Sequence, residues 1–411
     1  MEPRLLVLGA GRHQKELIRR AEARGLRVVA SDYYPDAPGK ALASYPVDLD
    51  ATAIAENIAL ARKYAVRGVI TSGTDLALVA MAEVAAALGL PCYLTPESAR
   101  TATDKLRMAR AFDAAGVPHA PWRELRSVAA APPFPLPVVV KPTDSQGQRG
   151  VSKISRKDDF AAGVADALQA SRSASAIVEP FMDGYEVTAN AWAKGSEVRI
   201  QMITDRVTYN PLPAIGICFQ HVYPSLRAAG LRERVRDALR KVAACYGVRD
   251  APLYVQMIVR GAEVSVVEAA CRVGGGHESS LSPIATGVEV LDRLLDLALE
   301  GRSPEIGNAH DESGARGHAL VNFLLPRSGT ANELKGMESN PLIVEGEYYV
   351  RPGHECREVV DGQGRIGYFI ARGATRAALL ERSAAAYRSL TVADAAGRNL
   401  LFTPEKKDLL G

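Results

Sequence analysis

Three stretches of this chain bring together residue types that can do chemistry jointly. The first is Lys141-Pro-Thr-Asp-Ser145-Gln146-Gly147-Gln-Arg-Gly150, a lysine ending an apolar run and followed by small and polar residues. Glycines let backbone N–H groups come close to phosphate oxygens, and a lysine adds a point charge. The same residues also fit a solvated hairpin. The second is Ala176-Ile-Val-Glu179-Pro-Phe181-Met182-Asp-Gly-Tyr-Glu186, an apolar run carrying two acids seven positions apart. A carboxylate there can accept from ribose hydroxyls while the adjoining segment holds a purine, although two surface acids are the plainer alternative. In the third, Gln256 and Glu268 lie on two apolar runs around Arg260-Gly261, a hairpin signal. Pairing can put both side chains on one face, and two oxygen ligands beside phosphates suit Mg²⁺. Glu268 follows Val266-Val267 and so needs a partner at the end of a buried strand. Arg272, four residues on and just before Gly274-Gly275-Gly276-His277, is a candidate for that partner.

Other signals are weaker. Gly9-Ala-Gly11 sits between a strand and a helix pattern, but the third glycine of a dinucleotide fingerprint is replaced by Gln14. Asp32 stands about where a ribose-binding acid would, and a tight strand-to-helix turn explains the glycines as well. No GK[ST], HExxH or GxSxG run occurs, which removes the P-loop, zincin and serine-hydrolase readings.

The elements that must position these residues follow from periodicity. Short apolar runs at Leu5–Leu8, Leu26–Ala30 and Gly68–Ile70 alternate with helical patterns at Gln14–Arg24, at Ile54, Ile58 and Ala61, and at Leu76, Ala80 and Val84. That alternation predicts a doubly wound parallel sheet over 1–98. A linking helix is expected over 99–123, with an N-cap at Thr103-Asp104 and a stop at Gly116-Val-Pro118. The prolines at 132, 133, 135 and 137 read as an extended loop into Val138–Lys141. Strand-rich patterns then predict an antiparallel α+β unit over 124–190 and a second over 191–315. The second contains an amphipathic helix around Leu231, Val235, Leu239 and Val242 and another at Leu291–Leu299. A small C-terminal α+β domain over 316–411 is expected to hold strands at Ala319–Leu325, Tyr348–Val350 and Ile366–Ala371 and a helix from Thr375. The polar stretch Ser303–Gly317 reads as a mobile surface loop.

Composition bounds the function. Over 411 residues, 50 basic against 47 acidic side chains leave a net charge of +3, and 47% of residues are hydrophobic. This is an ordinary globular balance, sized for two to four domains, with no polyelectrolyte character to recruit nucleic acid or an anionic membrane. No run of 18 apolar residues predicts a span, and Leu5–Leu8 is too short for a signal core. Five dispersed cysteines without a CxxC pair fit a reducing cytoplasm.

Taken in order, Leu6–Gly11, Thr103-Asp-Lys105, Val140-Lys141-Pro, Glu179–Glu186, Gln256, Glu268, Arg272, Thr286-Gly-Val and Arg365-Ile-Gly-Tyr resemble the ATP-grasp superfamily. Among its members the chain is most similar to carboxylate–amine ligases, including L-amino acid ligases and carbamoyl-phosphate-synthase-like proteins. The resemblance implies an N-terminal pre-ATP-grasp domain, a central two-lobed ATP-grasp domain and a small C-terminal domain. It implies ATP and Mg²⁺ as cofactors, with two ions and with Mn²⁺ as a substitute, and a homodimer. Carried over residue by residue, Lys105 and Lys141 hold the ATP phosphates, and Ser145, Gln146, Gly147 and Gly150 belong to the lid. Glu179, Phe181 and Met182 receive adenine, and Glu186 contacts the ribose. Gln256 and Glu268 ligate the metal, and Arg272 steadies the reacting carboxylate. Where many members have Asn two residues after the second metal acid, this chain has Ala270.

The implied activity is ADP-forming ligation of a carboxylate, expected to be an amino acid, to an amine through an acyl phosphate. Its partners are therefore small molecules. Residue His277 is a candidate base in the acceptor pocket, or else a turn cap, and Tyr209–Gln220, between regular elements, are expected to line the substrate site. Two other readings use the same fold. One is a carboxylase or nucleotide-biosynthesis ligase acting on bicarbonate or a ribonucleotide amine, and the other is a non-catalytic nucleotide-binding protein.

Overall fold

The computed structural model describes residues 2–128, 131–304 and 317–404, together with the backbone of 409–410. Parallel strands β1 (Arg4–Leu8), β2 (Arg27–Asp32), β3 (Tyr45–Asp48) and β4 (Gly68–Ile70) form a sheet in the order β3-β2-β1-β4. Helices α1 (Arg12–Ala23), α2 (Ile54–Lys63) and α3 (Leu78–Leu88) alternate with its strands, as expected of a doubly wound unit. Leu76 lies just before α3 and is exposed, so the helical spacing read from it begins two residues too early. The single expected linking helix is two, α4 (Pro96–Thr103) and α5 (Lys105–Ala115). The Asp104 carboxylate accepts from Arg107 N–H at 2.8 Å. A side chain that caps one helix competes with continuation of the previous one, so the chain breaks here. Gly116, at φ +63°, ends α5.

A four-stranded antiparallel sheet follows, ordered β5-β8-β6-β7 from β5 (Arg123–Leu125), β6 (Val138–Pro142), β7 (Ser152–Ile154) and β8 (Ala176–Pro180). With α6 (Phe160–Ala170) it encloses its own small core of Val138, Val140, Ile154, Phe160, Val164, Ala167, Ala176 and Val178. That core is separate from the rest of the molecule, so this lobe can move as a unit at little packing cost.

The next sheet has ten strands. Its main path starts with β13 (Glu263–Ala270), β12 (Asp250–Arg260), β9 (Tyr185–Lys194), β10 (Glu197–Tyr209), β11 (Ile217–Tyr223) and β14 (His318–Pro326). It continues into strands Gly367–Gly373 and Glu345–Tyr348. Two expectations change here. The strand Tyr185–Lys194 pairs in this sheet, so the lobes exchange between Pro180 and Tyr185 rather than at 190. The main C-terminal strands join the large sheet, because β14 pairs with β11 and extends the same ladder, while Gly329–Ala331 with His354–Cys356 and Glu333–Lys335 with Thr391–Ala393 form two small two-stranded sheets beside it. Helix α10 (Arg376–Ser389), capped by Thr375 as expected, covers that end. Helices α7 (Arg232–Cys245), α8 (Glu278–Thr286) and α9 (Val290–Glu300) complete the fold. One continuous core runs from Leu5 of β1 through α5 and β12 to Leu295 of α9, which locks the N-terminal sheet to the large lobe. Most of the loop expected at 303–317 lies outside the described residues. Among the described residues no helix is long and apolar enough to cross a membrane.

Candidate active site

The β12–β13 hairpin sets Gln256 directly opposite Glu268 in register, with a bulge after Gln256, so both side chains emerge on one face. They look into a cleft between the two lobes. From the small lobe the cleft receives Lys141 at the end of β6 and Glu179 at the end of β8, whose Nζ and Oε2 are 2.5 Å apart. Arg272, the candidate partner of Glu268, pairs with Asp75. Lys105, at the first turn of α5, instead places its Nζ 2.9 Å from Glu268 Oε1 and donates to the Ser145 carbonyl at 2.9 Å. Burial pushes the Glu268 carboxyl up in pKa, but the Lys105 ammonium, with Lys141 and Arg272 beyond it, holds it below the usual carboxylate value. Burial likewise disfavours the charge on Lys105, and Glu268 outweighs it, raising that pKa.

The deep part of the cleft is apolar. Val139, Met182, Ile215, Ile258 and Val267 line it, and the Lys153 ammonium sits 3.5 Å from the ring centroid of Phe181. This slot suits a flat heteroaromatic ring. The Phe181 N–H is taken by the Pro137 carbonyl at 3.0 Å, so Phe181 contributes its ring and not its amide. Glu186 also lines the cleft, where its carboxylate accepts from the buried Arg206. Of the residues expected in a lid, Ser145, Gln146 and Gly147 face the cleft. Gly150 does not: at φ +73°, an added Cβ would stand 2.6 Å from Ala170 Cβ and 2.9 Å from Pro142 Cγ. Its role is to let the loop pass close over β6 and α6.

Gln146, Gly147, Gln148, Arg206, Gln256 and Glu268 also line a second, more polar inner cavity, so the Gln256–Glu268 pair stands where the two spaces meet. Arg272 enters this inner cavity. Its Nε and Nη2 bind Asp75 at 2.9 and 2.8 Å, and its guanidinium lies 4.9 Å from the Tyr254 ring centroid. His277 does not reach the inner cavity. Its ring stacks on Tyr368 with centroids 3.4 Å apart, and its Nε2 meets the Tyr349 hydroxyl. It lines an outer cavity beside α1 instead. The histidines of the inner cavity are His13 and His221. The surrounding protein, with Arg365, Arg272 and Arg12, holds His13 down to about 4, and Glu278 stands 3.3 Å from His221. Of the stretch Tyr209–Gln220, Tyr209 ends β10 and Ile217–Gln220 lie in β11. Only the turn between them is a loop, and its Ile215 and Gly216 line the cleft.

At the N-terminal turn the buried Gln14 packs against Gly9 and Gly11. Its side-chain amide donates to the Ser72 carbonyl at 2.5 Å, and a Cβ on Gly9 would meet it at 3.2 Å. Asp32 accepts from Ala10 and Tyr34 N–H groups at 2.8 and 3.0 Å, which ties the turn together. Reading the sequence missed Asp75, Arg206, Arg12 and His13. The Asp205-Arg206 pair inside an apolar strand was the available signal for Arg206, since a buried charge needs a partner.

Residues 134–280 match the model of the ATP-grasp domain, and residues 322–394 match that of L-amino acid ligase C-terminal domain 2. The resemblance to ATP-grasp ligases is thereby borne out. The chain is 25% identical over 304 residues to the carbamoyl phosphate synthase large chain of Rubrobacter xylanophilus, covering 68% of this chain and 28% of that one. It is 33% identical over 198 residues to a formate-dependent phosphoribosylglycinamide formyltransferase of Stenotrophomonas maltophilia, covering 45% of this chain and 49% of that one. It thus spans less than half the length of either relative. In fold it is similar to the crystal structure of an L-amino acid ligase from Bacillus licheniformis, with a TM-score of 0.80 at 17% identity over 95% of this chain and 98% of that one.

Proposed function

We propose that this chain, carrying an ATP-grasp domain, is an ADP-forming carboxylate–amine ligase whose acyl donor is an amino acid. A carboxylate oxygen attacks the γ-phosphorus of ATP, the bond to the β,γ-bridging oxygen breaks and ADP leaves. An amine then attacks the acyl phosphate carbon, phosphate departs with the former carboxylate oxygen, and the amine releases a proton. Such transfers need alignment and charge neutralisation rather than a protein nucleophile.

The observation that supports the reading is the junction at Gln256 and Glu268, where an apolar slot with two lysines opens into a polar cavity holding Arg272. In this reading Lys105 and Lys141 hold the phosphates and Ser145–Gly147 close over them. The Phe181–Met182 slot takes the adenine, and Glu179 and Glu186 border the nucleotide. Gln256 and Glu268 fit Mg²⁺, two ions in the full proposal, because they offer only oxygen donors. Among the described residues no cluster of three or more His, Cys, Asp or Glu stands ready for a metal. Phosphate oxygens and water would complete the sphere, as Mg²⁺ prefers, and when bound it neutralises phosphate charge. Arg272 has Nε and Nη2 on Asp75 and Nη1 3.5 Å from the Val273 carbonyl, and in this reading the second Nη1 hydrogen serves the reacting carboxylate and its oxyanion. The homodimer implied by the resemblance belongs to the same proposal, and light scattering checks it.

The relative named for formate and phosphoribosylglycinamide favours a second reading, with formate as donor and a ribonucleotide amine as acceptor. One experiment separates them: ADP release from Mg²⁺-ATP against amino acids singly and in pairs, and against formate or bicarbonate with and without amines. Release that requires two amino acids, with an amide product by mass, supports the proposal. Release with formate and a phosphorylated amine supports the second reading. Release with bicarbonate alone defeats both.

A further inference from the structure

The ligase reading uses none of the five cysteines, and four of them are inert by their surroundings. Burial pushes up the thiols of Cys92, Cys245, Cys271 and Cys356, so each stays protonated at neutral pH. Cys218 differs in position. It lines the inner cavity together with His221 and Arg206. On a regular strand, residues three apart point to opposite faces. Here Thr208 of β10 pairs with Cys218 while Val207 pairs with Gln220, so Phe219 is the extra residue of a β-bulge. The bulge turns Cys218 onto the face of His221, which pairs with Arg206 in the same ladder.

A hydrogen bond joins the Cys218 and His221 side chains, and the Cys218 Sγ lies 3.5 Å from the Gln220 carbonyl. His221 is itself oriented, with Nε2 3.3 Å from Glu278 Oε1 and Nδ1 3.3 Å from Thr204 Oγ1. A nucleophile, a base and the groups that orient the base therefore meet at one wall. Burial opposes charge on Cys218, but His221, Arg206 and Arg365 outweigh it and hold the thiol below its ordinary value. Cys218 and Glu278 in turn raise His221, which favours a thiolate–imidazolium pair. A second observation points to an added oxygen. The buried Nε of Arg206 lines the same cavity and has no hydrogen-bond partner among the described residues. We infer that Cys218 is a modification site, a thiol that hydrogen peroxide converts to a sulfenic acid inside the inner cavity. In that step the thiolate sulfur attacks one peroxide oxygen, the O–O bond breaks and an S–O bond forms. Sulfur loses two electrons and the peroxide gains them. The leaving hydroxide takes the imidazolium proton and departs as water. Excess small thiol reverses the change through a mixed disulfide, with release of water. The site stands apart from the ligase reading. Its effect on ligation rests on that reading, since the new oxygen would occupy space that substrate needs.

The test exposes the intact chain to hydrogen peroxide with dimedone present and follows the adduct on each cysteine by mass spectrometry. Cys218 should be trapped at least ~10-fold faster than Cys92 or Cys245, although both of those are less buried. His221→Asn should remove most of that advantage, again by ~10-fold. Trapping at Cys92 or Cys245 as fast as at Cys218, or an unchanged Cys218 rate in a folded His221→Asn, overturns the inference. Should that variant not fold, alkylation of the wild type by iodoacetamide decides. A Cys218 rate that levels off below the ordinary thiol value of 9.0 supports the inference, and one that levels off above it overturns it. For any substrate pair that releases ADP, the rate should fall in step with sulfenic acid at Cys218 and return with dithiothreitol, while a fluorescent ATP analogue still binds. Full oxidation of Cys218 with unchanged ligation overturns the effect on substrate and leaves the ligase reading intact. If no pair releases ADP, the ligase reading fails, and the trapping rates still decide the thiol.

Discussion

Arg272 of the large lobe and Asp75 of the N-terminal domain form a two-point pair, with Nε–Oδ1 at 2.9 Å and Nη2–Oδ2 at 2.8 Å. Each side chain is 12% exposed, and the pair joins residues 197 positions apart. The geometry fixes the guanidinium at the wall of the inner cavity. It also ties the loop after β4 to the strand end after β13, and the Gly73 N–H donates to the Val273 carbonyl at 3.2 Å in support.

Breaking the pair from either side should cost more than removing both groups. Asp75→Ala leaves a mostly buried guanidinium unpaired and should destabilise the fold by about 3–5 kcal/mol. Arg272→Met with Asp75→Leu should cost clearly less. Denaturant midpoints for the single and double variants measure this in a double-mutant cycle. Equal, additive losses would mean that the pair is not coupled. In catalysis, Arg272→Ala should lower kcat by on the order of 10²–10³ with the KM for ATP nearly unchanged. Near-normal turnover would remove Arg272 from the chemistry.

Lys105 and Glu268 make a different use of pairing. Their contact favours the ionised form of the Glu268 carboxylate, and Lys105 links α5 to β13 and to the Ser145 carbonyl. Glu268→Gln keeps the shape and removes the charge. It should weaken the apparent Mg²⁺ affinity by at least about tenfold, read as a rise in the Mg²⁺ concentration at half-maximal rate, while a fluorescent ATP analogue still binds. Lys105→Met should raise the KM for ATP and shift the acid limb of the pH–rate profile upward. Without the ammonium, burial is the dominant influence left on Glu268, and it favours the protonated form. An unmoved limb would show that Glu268 does not control it.

The histidine wall sets a pH dependence of stability. Burial first, and then nearby cations, pull His277 well below its ordinary value of 6.5. The unfolded chain therefore takes up a proton at a higher pH than the folded one. Stability attributable to His277 is full above about 6.5 and is lost as pH falls below it. His221 acts in the opposite sense: burial lowers it, Cys218 and Glu278 outweigh that, and its contribution fades as pH rises. Comparing wild type with His277→Asn isolates the first effect, because Asn tolerates the left-handed φ of +63°. The fall in urea midpoint between pH 7 and pH 5 should be smaller in the variant. An identical fall would assign the acid sensitivity elsewhere.

These relationships also mark what could be read from the chain alone. Lys141, Glu179, Gln256 and Glu268 were legible because each sits on a short local element whose register follows from alternation, and one hairpin is enough to bring two of them together. Asp75 and Arg206 were not legible as partners. The first answers an arginine in another domain, and the second answers an acid on a neighbouring strand, and no spacing rule links them. The continuity of the C-terminal strands with the large sheet was hidden for the same reason. The β11–β14 ladder pairs Gln220 with Asn322, and periodicity is silent on such distant pairing. At Gly150 the sequence alone does not separate a glycine needed for close packing, as its tight surroundings require, from one needed for phosphate.

The lid supplies the last prediction. Gly147 accepts through its carbonyl from the Gly362 N–H at 2.8 Å, while Gln146 reaches Thr74 at 3.5 Å and Lys153 N–H reaches the Pro213 carbonyl at 2.9 Å. The loop after β6 and the adjoining β7 are therefore fastened to the N-terminal domain, the large lobe and the C-terminal turn at once. The small lobe has its own core, and these hydrogen bonds join it to the rest of the molecule. A Cβ on Gly362 would stand 3.2 Å from the Gly147 carbonyl oxygen, from Gln148 Oε1 and from Arg365 Nη2. Gly362→Val should push the turn away from the lid and admit water to the acyl phosphate. The expected result is more ADP released per amide formed than the one-to-one ratio of the wild type, with the KM for ATP raised several-fold. Water would then compete with the amine at the same intermediate, and the excess should shrink as the acceptor concentration rises. A one-to-one ratio in the variant would show that the C-terminal turn does not hold the lid.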